Sequence, residues 1–176
     1  MKKITEKIIE TNLNIQGPIK ERKTVRAIIL NDQKELLMLY STMFNDYTFP
    51  GGGIKINEDP IEGLKRELRE EIGAIDIEII SEIGATEELR YGIKGSDQVY
   101  HQTSFYYLVS ILKQGKPKLE GREQLQGLSS VWIKPHDALT HNLSVMSDAL
   151  HQTKGLKTVL IRENEVLKYM KENKII

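Results

Sequence analysis

Cysteine is absent from this chain of 176 residues, and neither sign of charge is in excess, because 25 basic side chains balance 25 acidic ones. Without cysteine there can be no disulfide framework, no thiolate metal site and no thiol nucleophile. Without a positive surplus, a basic surface that binds nucleic acid through its phosphates is not expected. The longest aliphatic runs, 27–30 and 36–39, have four residues, whereas a membrane-spanning helix needs about 20. We therefore expect a cytoplasmic protein with no membrane and no nucleic-acid partner.

The length fits one domain, since a domain typically contains about 100–200 residues. We predict a single domain over 1–176 in which residues 1–20 form an N-terminal arm or strand. Apolar and β-branched patterning predicts strands at 24–30, 36–40, 75–80, 99–112 and 130–133. Apolar residues at helical spacing predict helices at 59–73, 137–151 and about 163–173. The polar stretches 87–97 and 113–128 contain glycine and are predicted to be a hairpin loop and a long loop.

The clearest helix follows a loop at residues 50–53, which consists of a proline and three glycines. Such glycines permit tight backbone conformations and a close approach of the backbone to a ligand. Asp59 can cap the helix, Pro60 suits its first position, and Gly73 can end it in a left-handed conformation. One stripe of the helix is apolar and is predicted to pack on the core; it consists of Ile61, Leu64, Leu68 and Ile72.

Glu67, Glu70 and Glu71 lie together on the flank of this helix, because residues three and four apart are neighbours on a helix surface. Three like charges repel one another, and hard oxygen ligands gathered in this way suit Mg²⁺ or Mn²⁺. Arg66 precedes the group and can hold one carboxylate through two hydrogen bonds. A solvated helix face with internal salt bridges is the other interpretation of the same residues.

The complete string over residues 52–74 resembles the signature of the Nudix hydrolases. The residues that match stand at fixed spacing: Gly52, Glu58, Arg66, Glu67, Leu68, Glu70, Glu71 and Gly73. Ala74 departs from the pattern, because the family usually has a larger aliphatic residue there. This departure affects a packing contact and no ligand.

The resemblance implies an α/β fold, an α/β/α sandwich with a mixed sheet. It implies hydrolysis of the pyrophosphate bond in a nucleoside diphosphate linked to another group, with Mg²⁺ or Mn²⁺ as the cofactor. The metal ligands that it implies are the carboxylates of Glu67, Glu70 and Glu71 and the carbonyl of Gly52. Arg66 would orient Glu67, and Glu58 would support them. Dimers are frequent in the family, so a homodimer is possible.

The general base and the substrate are less sharply indicated. Some family members use a glutamate from a loop beyond the signature, and Glu123 is the first candidate here, followed by Glu120. Tyr47, Phe49 and Tyr91 are candidates to stack on a base, and Tyr100 is a fourth. A nucleoside triphosphate, a dinucleoside polyphosphate, a nucleotide sugar and ADP-ribose all remain open as substrates. The alternative function is a non-catalytic domain of this fold that senses a nucleotide or supports a partner.

Overall fold

The computed structural model describes residues 1–92, 97–119 and 121–176. Within them the chain forms, in order, β1 (Ile8–Ile9), β2 (Lys20–Ile28), β3 (Leu36–Ser41), β4 (Asp46–Thr48), α1 (Pro60–Ile72), β5 (Ala74–Tyr91), β6 (Val99–Gln114), α2 (Arg122–Leu125), β7 (Leu128–Ile133), α3 (Pro135–Val145) and α4 (Lys157–Glu172). None of the described helices combines the length and the apolar composition that crossing a membrane requires.

Two sheets form the centre of the fold. The larger sheet is mixed and has the order β1-β5-β6-β2, in which β1 is parallel to β5, β5 is antiparallel to β6, and β2 is parallel to β6. The smaller sheet is antiparallel and has the order β4-β3-β7. The glycine loop (residues 50–53) runs along β2, because the N–H of Val25 donates to the Gly52 carbonyl and that of Ala27 donates to the Pro50 carbonyl, both at 2.9 Å.

The helices cover opposite faces of these sheets. Strand residues alternate between faces, so Val25 and Ala27 of β2 point to α1, where they meet Leu64 and Leu68. A second buried cluster on the other face joins strand residues to α3 and α4; it includes Ile28, Leu36, Met38, Ala138, Val166 and Leu167. The two clusters give three layers, with α1 on one side of the strands and α3 and α4 on the other.

The ends of α1 agree with the residues that predicted them. The Asp59 carboxylate accepts hydrogen bonds from the N–H groups of Ile61 and Glu62, at 2.9 and 3.2 Å. Gly73 ends the helix with φ of 72°, in the left-handed region that favours glycine. Ile61 is only partly buried and packs against the core cluster that α1 forms with β2. The other residues of the predicted apolar stripe, Leu64, Leu68 and Ile72, are fully buried.

Several boundaries differ from the predictions. The strand predicted at 75–80 extends to Tyr91, so residues 87–91 are strand and not hairpin loop. Glu88 and Arg90 are polar but buried there, because they lie against Gln102 and Arg162, and an apolar pattern cannot reveal such a strand. The short helix α2 lies within the predicted loop 113–128. α3 ends at Val145 and α4 already begins at Lys157, because the chain between them turns and contacts the segment before β4.

Candidate active site

The flank of α1 that predicted a metal site divides into buried and exposed carboxylates. Glu67 and Glu71, one helical turn apart, are 8% and 7% exposed, whereas the side chain of Glu70 is 41% exposed. Glu67 and Glu71 turn towards the glycine loop, and Glu70 contacts the edge of the Arg66 guanidinium, at 3.7 Å. The helix therefore presents two carboxylates to the protein interior and one to the outside.

The glycine loop approaches these carboxylates very closely. The N–H of Gly51 donates a hydrogen bond of 2.6 Å to the Glu71 carboxylate. A Cβ atom at Gly52 would lie 2.4 Å from Oε2 of Glu67, far inside contact distance, so any side chain at this position would displace the Glu67 carboxylate. The Gly52 carbonyl accepts from the Val25 N–H and keeps its second lone pair.

Arg66 holds Glu67 in place through a fork of hydrogen bonds. Its guanidinium donates to both oxygens of Glu58, at 2.8 and 2.9 Å, to Glu67 at 2.6 Å and to the Gly53 carbonyl at 2.9 Å. These hydrogen bonds from Arg66, with one from the Lys55 N–H, lower the pKa of Glu58 to about 2. Arg66 thus joins the start of the helix, the glycine loop and Glu67.

Glu123 of α2 completes the group. Glu67, Glu71 and Glu123 each place one carboxylate oxygen within 4.8 Å of the others. Burial, together with the charges of Glu67 and Glu123, raises the pKa of Glu71 to about 8, although Arg26 and the Gly51 N–H act in the opposite direction. Crowded oxygen donors of this kind match the preference of Mg²⁺ and Mn²⁺ for hard ligands, so the residues present fit a divalent cation.

A cavity of about 380 Å³ opens beside this group. Gly51–Gly53 and the three carboxylates form part of its wall. The other lining residues come from both sheets, from α4 and from the connection before it, and they include Arg22, Arg26, Phe44, Asp46, Arg90, His151, Leu156 and Arg162. The cavity therefore combines the three carboxylates with several arginines. The carboxylates suit a bound cation, and the arginines suit an anionic ligand that binds together with it.

The family model of the NUDIX domain matches residues 20–152, more than half of the chain. The chain belongs to the Nudix family. Among curated relatives, an RNA pyrophosphohydrolase of a Nitratiruptor species is 34% identical over 110 residues, which cover 58% of this chain and 71% of the relative. An RNA pyrophosphohydrolase of Halorhodospira halophila is 39% identical over 71 residues, 40% of this chain and 39% of that protein.

The solution structure of the E. coli ORF135 protein has the same overall fold, with a TM-score of 0.50 and 21% identity over 90% of this chain and 98% of that one. The predicted α/β fold with a mixed sheet is confirmed. Family membership and the curated relatives indicate a pyrophosphohydrolase, and Nudix enzymes generally use a divalent metal. The expectation of no nucleic-acid partner is not confirmed, because RNA appears in the names of the relatives. A single domain over 1–176 and a homodimer stay predictions.

The aromatic residues expected to stack on a base lie elsewhere in this Nudix chain. Phe49 is fully buried and packs edge-on against Tyr106, with 5.8 Å between ring centres. Tyr47 packs 5.0 Å from both Tyr40 and His141. The Tyr91 hydroxyl accepts a 2.6 Å hydrogen bond from the Asn14 N–H. None of these predicted rings, nor Tyr100, is among the residues that line the cavity in the described part of the chain.

The structure brings some of the predicted site residues of this Nudix chain to the cavity and leaves others outside it. Gly52, Glu67, Glu71 and Glu123 line the cavity. Arg66 and Glu58 support Glu67 from outside it, Glu70 is exposed, and Glu120 lies outside the described residues. The sequence did not point to Phe44, an aromatic residue that lines the cavity, or to the polar residues Arg26, Asp46 and Arg162. These come from separate elements and follow no common spacing, so no signal in the sequence connects them.

Proposed function

We propose that the chain hydrolyses the pyrophosphate bond of a nucleoside diphosphate linked to another group, with Mg²⁺ or Mn²⁺ as its cofactor. The observation that supports this most directly is the approach of Glu67, Glu71 and Glu123 to one another on the wall of a cavity beside the glycine loop. Buried like charges are costly, and a bound cation would neutralise them and attract a phosphate chain.

Glu67 and Glu71 would hold the cation, helped by the free lone pair of the Gly52 carbonyl. The family signature adds Glu70, whose more exposed carboxylate lies near the same Arg66 nitrogen as Glu67 and would contact a cation at the outer edge of the site. When bound, a divalent cation neutralises charge on phosphoryl oxygens and increases the acidity of a coordinated water.

Three other side chains would orient the metal ligand, bind the phosphate chain and accept a proton. Arg66 keeps Glu67 in a fixed orientation. Arg26 lines the cavity, and its guanidinium would place a positive charge beside the phosphate chain. Glu123 would accept a proton from water as the water oxygen bonds to phosphorus. The bridging P–O bond then breaks, and the leaving phosphate takes the electron pair.

RNA with a terminal di- or triphosphate is a second candidate substrate, favoured by the relatives named RNA pyrophosphohydrolase. In RNA, a pyrophosphate bond exists only at such an end. Both candidates require the same chemistry at the three carboxylates. The two candidates differ only in what the nucleoside that carries the phosphate chain is attached to: nothing further in a free nucleotide, and the rest of the chain in RNA.

A substrate panel with 31P detection of the products tests the proposal. It contains GTP, ATP, a dinucleoside polyphosphate, a nucleotide sugar, ADP-ribose and RNA with a 5′ triphosphate, each with Mg²⁺, with Mn²⁺ or with a chelator. We expect cation-dependent cleavage of at least one of them and a loss of at least about 100-fold in Glu67→Gln. Glu62→Gln is the control, because Glu62 lies on the same helix and is paired with the exposed Lys65. Turnover by Glu67→Gln at the wild-type rate would refute the assignment.

A further inference from the structure

Asp46 is a buried carboxylate that lines the cavity and lacks a hydrogen-bond donor. It is 4% exposed, and no group in the described part of the chain donates a hydrogen bond to its side chain. The nearest basic side chain among the described residues is His151, whose Nε2 lies 3.8 Å away and is 2.9 Å from the Phe44 carbonyl. That distance to Asp46 is too long for a hydrogen bond.

Other buried carboxylates of the protein are supplied with donors. Glu10 accepts from the backbone N–H groups of Tyr91 and Gly155, at 2.9 and 3.0 Å. Glu163 accepts from the Phe49 N–H at 2.9 Å and from the guanidinium of Arg162. A buried charge without hydrogen-bond donors is unfavourable. Asp46 therefore differs from the other two carboxylates, and a ligand that donates hydrogen bonds to it would remove this cost. Burial is also the main reason why the pKa of Asp46 is raised, to about 7.

The surroundings of Asp46 suit a flat group with apolar faces and a polar edge. Apolar side chains from four separate segments line the same cavity: Leu39, Phe44, Leu128, Leu156 and Val159. A volume of about 380 Å³ lies within the range of about 300–1,000 Å³ that is usual for small-molecule sites. Such a site normally has an apolar lining and a few polar groups that set orientation, which is the combination found here.

We propose that Asp46 recognises a guanine base, accepting hydrogen bonds from its N1–H and its exocyclic amino group. An ionised carboxylate only accepts hydrogen bonds and has two oxygens. Guanine presents two adjacent donors on its Watson–Crick edge, whereas adenine and cytosine present one donor beside an acceptor, and uracil presents one donor between two acceptors. This assignment rests on the proposed function and narrows its substrate to guanine nucleotides or RNA that begins with guanosine.

The test compares GTP, inosine triphosphate and ATP as substrates of the wild type and Asp46→Asn. Inosine lacks the exocyclic amino group and therefore one of the two donors. Assays at about pH 8.5 keep the carboxylate ionised. We expect kcat/KM of the wild type to be about ten-fold higher for GTP than for inosine triphosphate, and lower again for ATP. In Asp46→Asn the preference for GTP over inosine triphosphate should disappear.

Asp32→Asn is the matched control, because Asp32 is exposed and does not line the cavity. Calorimetric binding of GMP, IMP and AMP gives the same comparison without turnover. Equal rates for the three triphosphates with equal binding of the three monophosphates, or a GTP preference that persists in Asp46→Asn, would overturn the role of Asp46 and leave the proposed function standing. If the wild type cleaves nothing in the panel, the proposed function fails, and the binding comparison still decides whether Asp46 recognises guanine.

Discussion

The backbone N–H of Phe49 donates a 2.9 Å hydrogen bond to the carboxylate of Glu163, 114 residues later in the chain. The carbonyl of the same residue accepts a 2.9 Å hydrogen bond from Arg26 of β2. Glu163 is fully buried and paired with Arg162, which donates at 2.7 Å to the equally buried Glu88. Helix α4 therefore fixes Phe49, the residue that precedes the glycine loop, although the helix contributes none of the three clustered carboxylates.

Replacing Glu163 should lower both stability and activity. In Glu163→Leu the N–H of Phe49 loses its acceptor and Arg162 loses a buried partner, which typically costs about 3–5 kcal/mol. For a protein of this size we expect the melting temperature to fall by about 6–20 °C. We also expect kcat to fall by about ten-fold, because the glycine loop is less fixed. Calorimetry and steady-state kinetics measure the two effects.

Glu165→Gln is the control for that experiment, since Glu165 lies on the same helix and pairs with the exposed Lys168. It should change the melting temperature by about 1–2 °C at most. If Glu163→Leu loses stability while kcat per folded molecule stays unchanged, the link from α4 to the glycine loop has no catalytic role.

Gly52→Ala should abolish activity, whereas Gly53→Ala should be tolerated. An added Cβ at Gly52 would meet the Glu67 carboxylate at 2.4 Å and force it away from Glu71 and Glu123. The same atom at Gly53 would have Arg22 Nη2 as its nearest neighbour, at an ordinary contact distance of 3.8 Å. We expect kcat/KM to fall by at least about 100-fold in the first variant and less than about three-fold in the second. Similar losses in both variants would contradict the close packing of Glu67 on the loop.

Metal binding should be visible as thermal stabilisation. A cation that binds only the folded state at about 100 times its Kd adds about 2.7 kcal/mol, or about 5–11 °C in melting temperature. Glu71→Gln removes one of the two buried carboxylates and should lose most of this increase with Mn²⁺. Glu62→Gln should retain it. Full retention of the increase by Glu71→Gln would show that Glu71 does not hold the cation.

The sequence predicts α1 and its carboxylates well because the information there is local. Asp59, Gly73 and the apolar stripe act within one helix, and the signature places Arg66 beside Glu67. The rest of the cavity depends on pairs that are distant in the chain, such as Arg162 with Glu88, 74 residues apart. Phe49 lies in the buried core, and the sequence alone does not separate an aromatic ring that packs there from one that stacks on a base.

Asp46→Asn should stabilise the protein at alkaline pH and leave its stability unchanged below about pH 4. Burial and the charge of Glu163 raise the pKa of Asp46 from 3.8 to about 7, while His141 and Arg162 act in the opposite direction; His151 lies nearest, at 3.8 Å. Because the folded state binds the proton more tightly than the unfolded chain, Asp46 contributes stability fully below about pH 4, and this is lost as the pH rises through about 7. Asparagine is neutral throughout and avoids that loss.

We therefore expect the melting temperature of Asp46→Asn to exceed that of the wild type by about 8–16 °C at about pH 8.5, and the difference to vanish at about pH 3.5. Asp32→Asn, which changes an exposed carboxylate, should show no such dependence on pH. A guanine nucleotide should stabilise the wild type at alkaline pH, since its N–H groups would supply the donors that Asp46 lacks. An increase for Asp46→Asn of equal size at both pH values would mean that the charge of this carboxylate is not what destabilises the folded state.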